Sequence, residues 1–273
     1  MSRKQSSMKE TNTLAESWYA TSLDRGLRVI RAFSQETPFM TVAEVARHTE
    51  MSRAAARRFL MTLQKLGYAG CDRNQRYFLR PTILALGYSY LSSLNLQDSV
   101  QSVLHDVATR IGGACSMAIL DDLDVVYVAR ASTYQPLRIS VRVGDRVPAH
   151  VSSLGRILLG RLCDSELDDH IGRIELRQFT EYSTASTKRL REMIIEARKA
   201  GWISANSERI IGLLSLSVPI RNRDARIVAA LSVSVQYRYT PVALVETGLP
   251  MLRAAAAEVE HVIQMRETPL DFA

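Results

Sequence analysis

The stretch TVAEVARHTEMSRAAARRFLMTLQKLG, residues 41–67, carries its own start and stop signals, and they leave few folds open. Thr41 with Glu44 three residues later is a capping box, in which each side chain satisfies an amide that the helix start leaves free. It opens a short helix with Val42, Val45 and Ala46 on its buried side. Only TEM separates this helix from Ser52, a second cap, whose helix runs to about Leu66 and stops at Gly67. Upstream, SLDRGLRVIRAFSQ starts at Ser22, a good N-cap, and places Leu27, Ile30 and Phe33 at helical spacing. Two short helices joined by a tight turn and preceded by a third are the outline of a helix-turn-helix.

The Ser52 helix sets small side chains and permanent cations on the same turns. At roughly 100° per residue, Ala55, Ala56, Phe59, Leu60, Leu63 and Leu66 gather on one face and form a core stripe. Arg53, Ala54, Arg57, Arg58, Met61 and Lys65 fall on the other. Ala54 keeps the path clear for outward arginines to reach something deep. A DNA major groove is such a target, because a guanidinium can donate two bonds to a guanine edge or neutralise phosphate. Downstream, YAGCDRNQRYFLR reads as a hairpin turning at Asp72–Gln75, with Arg73 and Arg76 at the tip, as in a wing.

Charge supports this reading once it is located. Residues 1–80 hold 14 of the 35 Lys and Arg against 7 of the 28 Asp and Glu, leaving 21 of each sign in the remainder. The whole excess of +7 therefore sits in the front, which points to a polyanionic partner. A solvated cationic surface, or a basic module docking on an acidic protein while the rest binds a small ligand, are the competing readings.

The rest of the chain reads as a mixed α/β domain. PTILALGYSYLSSLNL is a connecting helix with Pro81 at its start, and SVQSVLHDVATRIGG is an amphipathic helix ended by two glycines. SMAIL and VVYVA are strands joined by DDLD, and RISVRVG alternates like a strand. TKRLREMIIEARKAG is a helix ending at Gly201, and a final helix covers about 243–265. In LLSLSVPI, Ser215 and Ser217 share one strand face; in IVAALSVSV, Ser232 and Ser234 do the same. The short RNRDAR connection makes the two strands an antiparallel pair, so four hydroxyls line one side of a sheet, facing either a small polar ligand or water. In RVPAHVSSLGRILLGRL, Pro148, His150, Ser152 and Ser153 precede an apolar helix beginning near Leu154. Free amides around Ser153 and Leu154 suit a carboxylate without any buried lysine or arginine. His150 reads equally as a satisfied buried histidine.

The blocks SLDRGLRVIRAF, TVAEVARHTEMSRAAARRFLMTLQKLGYA, YFLRPTILALGYSYL, VGDRVPAHVSSLGRILL and GLLSLSVPIRNRDARIVAALSVSV resemble the IclR family of bacterial transcription regulators. More narrowly they resemble its β-ketoadipate pathway branch, the PcaR, PcaU and PobR type, over residues 20–265. The resemblance implies an α+β chain: a flexible arm over 1–20, a winged helix-turn-helix over 21–80, a linker helix over 81–96 and a GAF-like effector domain over 97–273. It implies DNA contacts from Thr41, Ser52, Arg53, Ala54, Arg57, Arg58 and Arg76. It implies an effector enclosed by His150, Ser152, Ser153, Leu154, Asn206, Glu208, Ser215, Ser217, Ser232 and Ser234. Asn206 stands where an aspartate is common in the family. The implied partners are a near-palindromic double-stranded operator, a second copy of the chain in a dimer or tetramer, RNA polymerase, and a small carboxylate. That carboxylate would be 4-hydroxybenzoate, protocatechuate or β-ketoadipate. One departure is Glu50, where the turn usually has glycine, so a glutamate must accept the turn's backbone geometry.

Other classes are disfavoured. The five histidines show no HxxxH or HExxH spacing, and no GxSxG, phosphate loop or GxGxxG occurs, so no enzyme, metal or cofactor is expected. Cys71, Cys115 and Cys163 are far apart and odd in number, which suits a reducing compartment. No apolar run approaches the ~18 residues that span a bilayer, and the expected location is the cytoplasm.

Overall fold

The computed structural model describes residues 19–34, 36–87, 97–133, 141–236 and 239–265. The chain divides into two compact units, Met1–Tyr90 and Leu91–Ala273. The first holds α1 (Thr21–Arg31), α2 (Val42–His48), α3 (Arg53–Lys65) and an antiparallel hairpin of β1 (Ala69–Cys71) and β2 (Tyr77–Leu79). Its core is Val29, Met40, Val45, Ala46, Ala56, Leu60, Leu63, Ala69 and Tyr77. Met40 exchanges both backbone hydrogen bonds with Tyr77, at 3.0 and 2.7 Å, so the lead into α2 is stitched to the hairpin.

The caps of α2 and α3 form as the sequence spells them. The Glu44 carboxylate accepts from the Thr41 amide at 2.8 Å, and the Ala55 amide donates to the Ser52 hydroxyl at 3.2 Å. Glu50 does adopt φ 56°, the left-handed geometry that glycine would take without strain, at a cost of roughly 1–2 kcal/mol. The turn secures it with the Met51 amide on the Ala46 carbonyl at 2.9 Å and the Thr49 hydroxyl on the Val45 carbonyl at 2.7 Å.

Three details differ from expectation. α1 begins at Thr21 with no side-chain cap, and Ser22 lies inside it. Its buried residue is Val29, whereas Leu27 is exposed and Ile30 and Phe33 are half-buried, because α1 is packed on one side only, where Gly26 meets the Phe59 ring. Leu66, at the end of the expected core stripe, is exposed, since the chain turns away at Gly67 with φ 81°. The linker begins as a 3-10 turn at Pro81–Ile83 and is helical to residue 87; the remainder of 81–96 lies outside the described residues, as does the arm to residue 18.

The second unit runs α4 (Gln97–Ile111), β3 (Ala114–Asp121), β4 (Asp124–Ser132), β5 (Arg146–Pro148), a 3-10 turn (Ala149–Val151), α5 (Ser153–Leu159), α6 (Asp164–Gly172), α7 (Thr187–Ala200), β6 (Ile203–Asn206), β7 (Leu213–Arg221), β8 (Ile227–Gln236) and α8 (Pro241–Gln264). The six strands form one antiparallel sheet in the order β5-β4-β3-β8-β7-β6. α4 and α8 cover one face through Leu104, Met117, Leu216, Leu231 and Leu252. α5, α6 and α7 cover the other through Ala118, Leu158, Leu167, Ile194 and Ala230. The strand expected over RISVRVG does not form where it is described: residues 141–144 lead into a turn with Gly144 at φ 91°, because the Asp145 carboxylate accepts the Arg142 amide at 2.8 Å. Residues 134–140 lie outside the described part.

Register aligns small residues on the α5 side. Ser116, Ser232 and Ser217 face one another across β3, β8 and β7, and Ala114, Ser234, Ser215 and Ala205 form the next row. Such a floor lets α5 sit close. Gly155 is needed there, since a Cβ would lie 2.1 Å from the Ala149 carbonyl oxygen.

Candidate DNA interface and ligand cleft

On α3, Arg53, Ala54, Arg57, Arg58, Met61 and Lys65 are all exposed, and the apolar face is anchored by Ala56, Leu60 and Leu63. Among the described residues Arg53, Arg57 and Arg58 enter no ion pair, so the guanidinium forks are free to meet a polyanion. Thr41 is taken up by the capping box, and Ser52 by the α3 cap. Arg76 is differently placed: its Nε donates to Asp72 at 3.0 Å and its guanidinium lies over the Phe39 ring at 5.3 Å. Asp72 also accepts the Asn74 and Arg76 amides at 2.8 and 2.9 Å, which closes the turn and holds its carboxyl below the usual range. Arg73 at the same tip stays exposed.

In the second unit a cleft of about 430 Å³, its open mouth included, lies at the start of α5. Ser152, Ser153, Leu154, Ser215, Ser232, Ser234 and Glu208 line it, together with Tyr127 and Arg209, and Val147, Val151, Ala205 and Leu213 supply apolar wall. The Ser153 hydroxyl donates to Ser215 and accepts from Ser217, both at 2.8 Å. Ser217 is fully buried and is not part of the lining; it reaches the cleft through Ser153. The first turn of α5 leaves the Ser153 and Leu154 amides without intrahelical partners.

Asn206 and His150 are not part of the lining either. Asn206 is exposed and accepts from the Ser207 hydroxyl at 2.8 Å. His150 is buried and leaves Nε2 without a partner among the described residues. Glu208 has an unexpected partner. Arg156, fully buried, grips both carboxylate oxygens, with Nη1 to Oε1 at 2.7 Å, and donates to the His150 carbonyl at 3.0 and 3.2 Å. One guanidinium thus ties α5, the 149–151 turn and the loop before β7 together.

The sequence reading missed Tyr127, Arg156 and Arg209. Tyr127 stood within an ordinary strand pattern; burial raises its phenol pKa, opposed by the positive charges of Arg209 and Arg130. An arginine inside the apolar run LGRILLGR was the one signal for Arg156, because a lone cation there must find a buried partner. Arg130, on β4 opposite Ser116, donates to the Ser116 hydroxyl at 2.8 Å, and desolvation lowers its pKa.

Burial lowers the pKa of His150 and His170 below 6.5, with Arg156 and Arg173 respectively adding to the effect. The unfolded chain therefore binds more protons than the folded one as pH falls through about 6.5. Their contribution to stability is complete above that pH and is lost on acidification towards the folded values. The melting temperature should fall between pH 7.5 and 5.5, and a His150→Gln, His170→Gln variant should show a shallower fall over the same window. Identical slopes in differential scanning calorimetry would refute this assignment.

A helix-turn-helix with a free arginine face in one unit, and a sheet cradling a polar cleft in the other, define a transcription regulator with a DNA-binding and a ligand-binding part. The family models agree: the IclR helix-turn-helix domain matches residues 22–72, and the bacterial transcriptional regulator IclR C-terminal domain matches residues 88–261. The chain belongs to the IclR family. It is 39% identical over 245 residues to the Pca regulon regulatory protein of Pseudomonas putida, covering 89% of this chain and 84% of that relative. It is 33% identical over 252 residues to the p-hydroxybenzoate hydroxylase transcriptional activator of Acinetobacter baylyi, covering 90% and 92%. Among solved structures, a transcriptional regulator from Rhodococcus sp. RHA1 superposes with TM-score 0.79 at 37% identity, over 89% of this chain and 98% of that one. An IclR homolog from Microbacterium hydrocarbonoxydans, solved with 4-hydroxybenzoate, shares the fold with TM-score 0.78 at 22% identity, over 88% and 98%. These relatives are named as regulators and not as enzymes, and the protein is a transcriptional regulator. Among the described residues no helix is long and apolar enough to cross a membrane.

Proposed function

We propose that the protein controls genes for the catabolism of aromatic acids in the cytoplasm, with its DNA affinity or polymerase contact set by a small carboxylate bound in the cleft. The observation that carries this is the cleft itself: five serines and the free amides at the start of α5 converge on one polar cleft that opens to solvent. The names of the relatives support it, since one governs the Pca regulon and another activates p-hydroxybenzoate hydroxylase expression, and so does the 4-hydroxybenzoate in the Microbacterium structure. The effector is 4-hydroxybenzoate, protocatechuate or β-ketoadipate.

In this reading residues 21–80 bind DNA, 81–96 connect, and 97–273 bind effector. Arg53, Ala54, Arg57 and Arg58 face the groove, flanked by Thr41 and Ser52, in each subunit of a dimer or tetramer on a near-palindromic operator. Arg76 serves the interface through its link to Asp72, Ser217 supports the cleft from behind through Ser153, and Glu208 lines it, held by Arg156. The ligand acts only so far as it binds one arrangement of the linked units better than another.

Replacing Ser232 and Ser234 by valine removes two hydroxyls from the lining. At about 0.5–1.5 kcal/mol each, effector affinity should fall roughly tenfold while operator affinity without effector is unchanged. Isothermal titration with the three acids, alongside fluorescence anisotropy on operator DNA, reads both. A normal ligand response in the double variant would place the effector elsewhere.

A further inference from the structure

Arg209 is the anomaly of the cleft. It is half-buried, lines the cavity, and among the described residues has neither ion pair nor hydrogen bond. Other half-buried arginines of this unit hold partners: Arg130 has Ser116, Arg191 has Asp168, Arg198 has Asp164, and Arg221 has the Ala225 carbonyl. The one acid in the lining among the described residues, Glu208, is already neutralised by Arg156, so it neither serves Arg209 nor repels an incoming anion. Among the described residues the cleft thus carries one uncompensated positive charge in a partly desolvated setting, where an anion is worth more than in bulk water.

The backbone presenting that charge is fixed. Ser207 sits at φ 58°, with its amide on the Leu213 carbonyl at 2.8 Å and its hydroxyl accepting the Gly212 amide at 3.0 Å. Thr180 donates to the Ser207 carbonyl at 2.7 Å, and Ser183 donates to the Glu208 carbonyl at 2.5 Å. A ligand meeting Arg209 therefore orders little chain, which is the condition for a cation to add affinity.

We infer that Arg209 selects for an anionic ligand, its guanidinium pairing with the carboxylate while the serine hydroxyls bind the remaining polar groups. This rests on the reading of the cleft as the effector site. The test uses the full chain with 4-hydroxybenzoate and its neutral analogue 4-hydroxybenzamide, titrated calorimetrically at one ionic strength. Arg209→Gln should weaken acid binding on the order of 10- to 100-fold and leave the amide within about threefold, with Arg209→Lys recovering part of the loss. An acid-to-amide ratio in Arg209→Gln equal to that of the wild type would overturn the inference. Leu154→Trp, which fills the cavity, separates the two ideas. Acid binding lost in Leu154→Trp but kept in Arg209→Gln overturns the role of Arg209 alone, and acid binding kept in both overturns the cleft as its site.

Discussion

A variant with Arg53→Ala and Arg57→Ala should bind operator DNA roughly a thousandfold more weakly than the wild type, while its effector affinity stays the same. Each arginine reaching a base edge or phosphate contributes about 1–3 kcal/mol, and a dimer loses two from each subunit. The fold has no reason to suffer. Both side chains are exposed and without ion pairs among the described residues, the Ser52 cap remains, and alanine is the better helix former. The slope of log affinity against log salt should flatten as well, since fewer phosphates are neutralised. Fluorescence anisotropy on operator and random duplexes from 50 to 200 mM salt, about the range over which such contacts are resolved, measures all three quantities. Unchanged operator affinity would remove α3 from the groove.

Arg156→Met should destabilise the second unit by about 3–5 kcal/mol, because it leaves the Glu208 carboxylate buried without a counter-charge. For a unit of this size that is a fall in melting temperature of roughly 10–15 °C. The double variant Arg156→Met, Glu208→Leu should recover most of the loss, since a buried ion pair replaced by apolar side chains is commonly near neutral in stability. It should not recover ligand affinity. Arg156 also holds the His150 carbonyl and the loop that carries Arg209, so the cleft would be stable but misshapen. Calorimetric melting and ligand titration of the single and double variants decide the matter; a single variant as stable as the wild type would show that the pair holds nothing in place.

The first unit was almost wholly legible before its coordinates. Caps at Thr41 and Ser52, the stop at Gly67 and the outward arginines all follow from interactions within a few residues, where side-chain chemistry and helical geometry suffice. The left-handed geometry of Glu50 was readable only through the family resemblance, which places glycine at that turn position. The serine-bearing strands were legible in part. Alternation put Ser215 with Ser217 and Ser232 with Ser234, and the short connection made them a hairpin, which the register Ser215↔Ser234 and Ser217↔Ser232 reproduces. What alternation does not contain is the partner of each hydroxyl. Ser217 lies behind Ser153, to which it donates, whereas Ser232, itself buried, reaches the lining and donates to the Val233 carbonyl at 3.2 Å; both partners come from packing.

The amino-acid order alone determined a basic helix-turn-helix in front and a serine-lined antiparallel hairpin behind, since both are short-range patterns that each residue's own neighbours specify. Tertiary structure alone decided that Arg156 spends its charge on Glu208 while Arg209 keeps its own, although the two arginines are 53 residues apart and look alike as letters. Whether a buried cation is paired depends on which distant segment the sheet brings beside it, and that is settled by the packing of α5 and the β6–β7 loop rather than by any local preference.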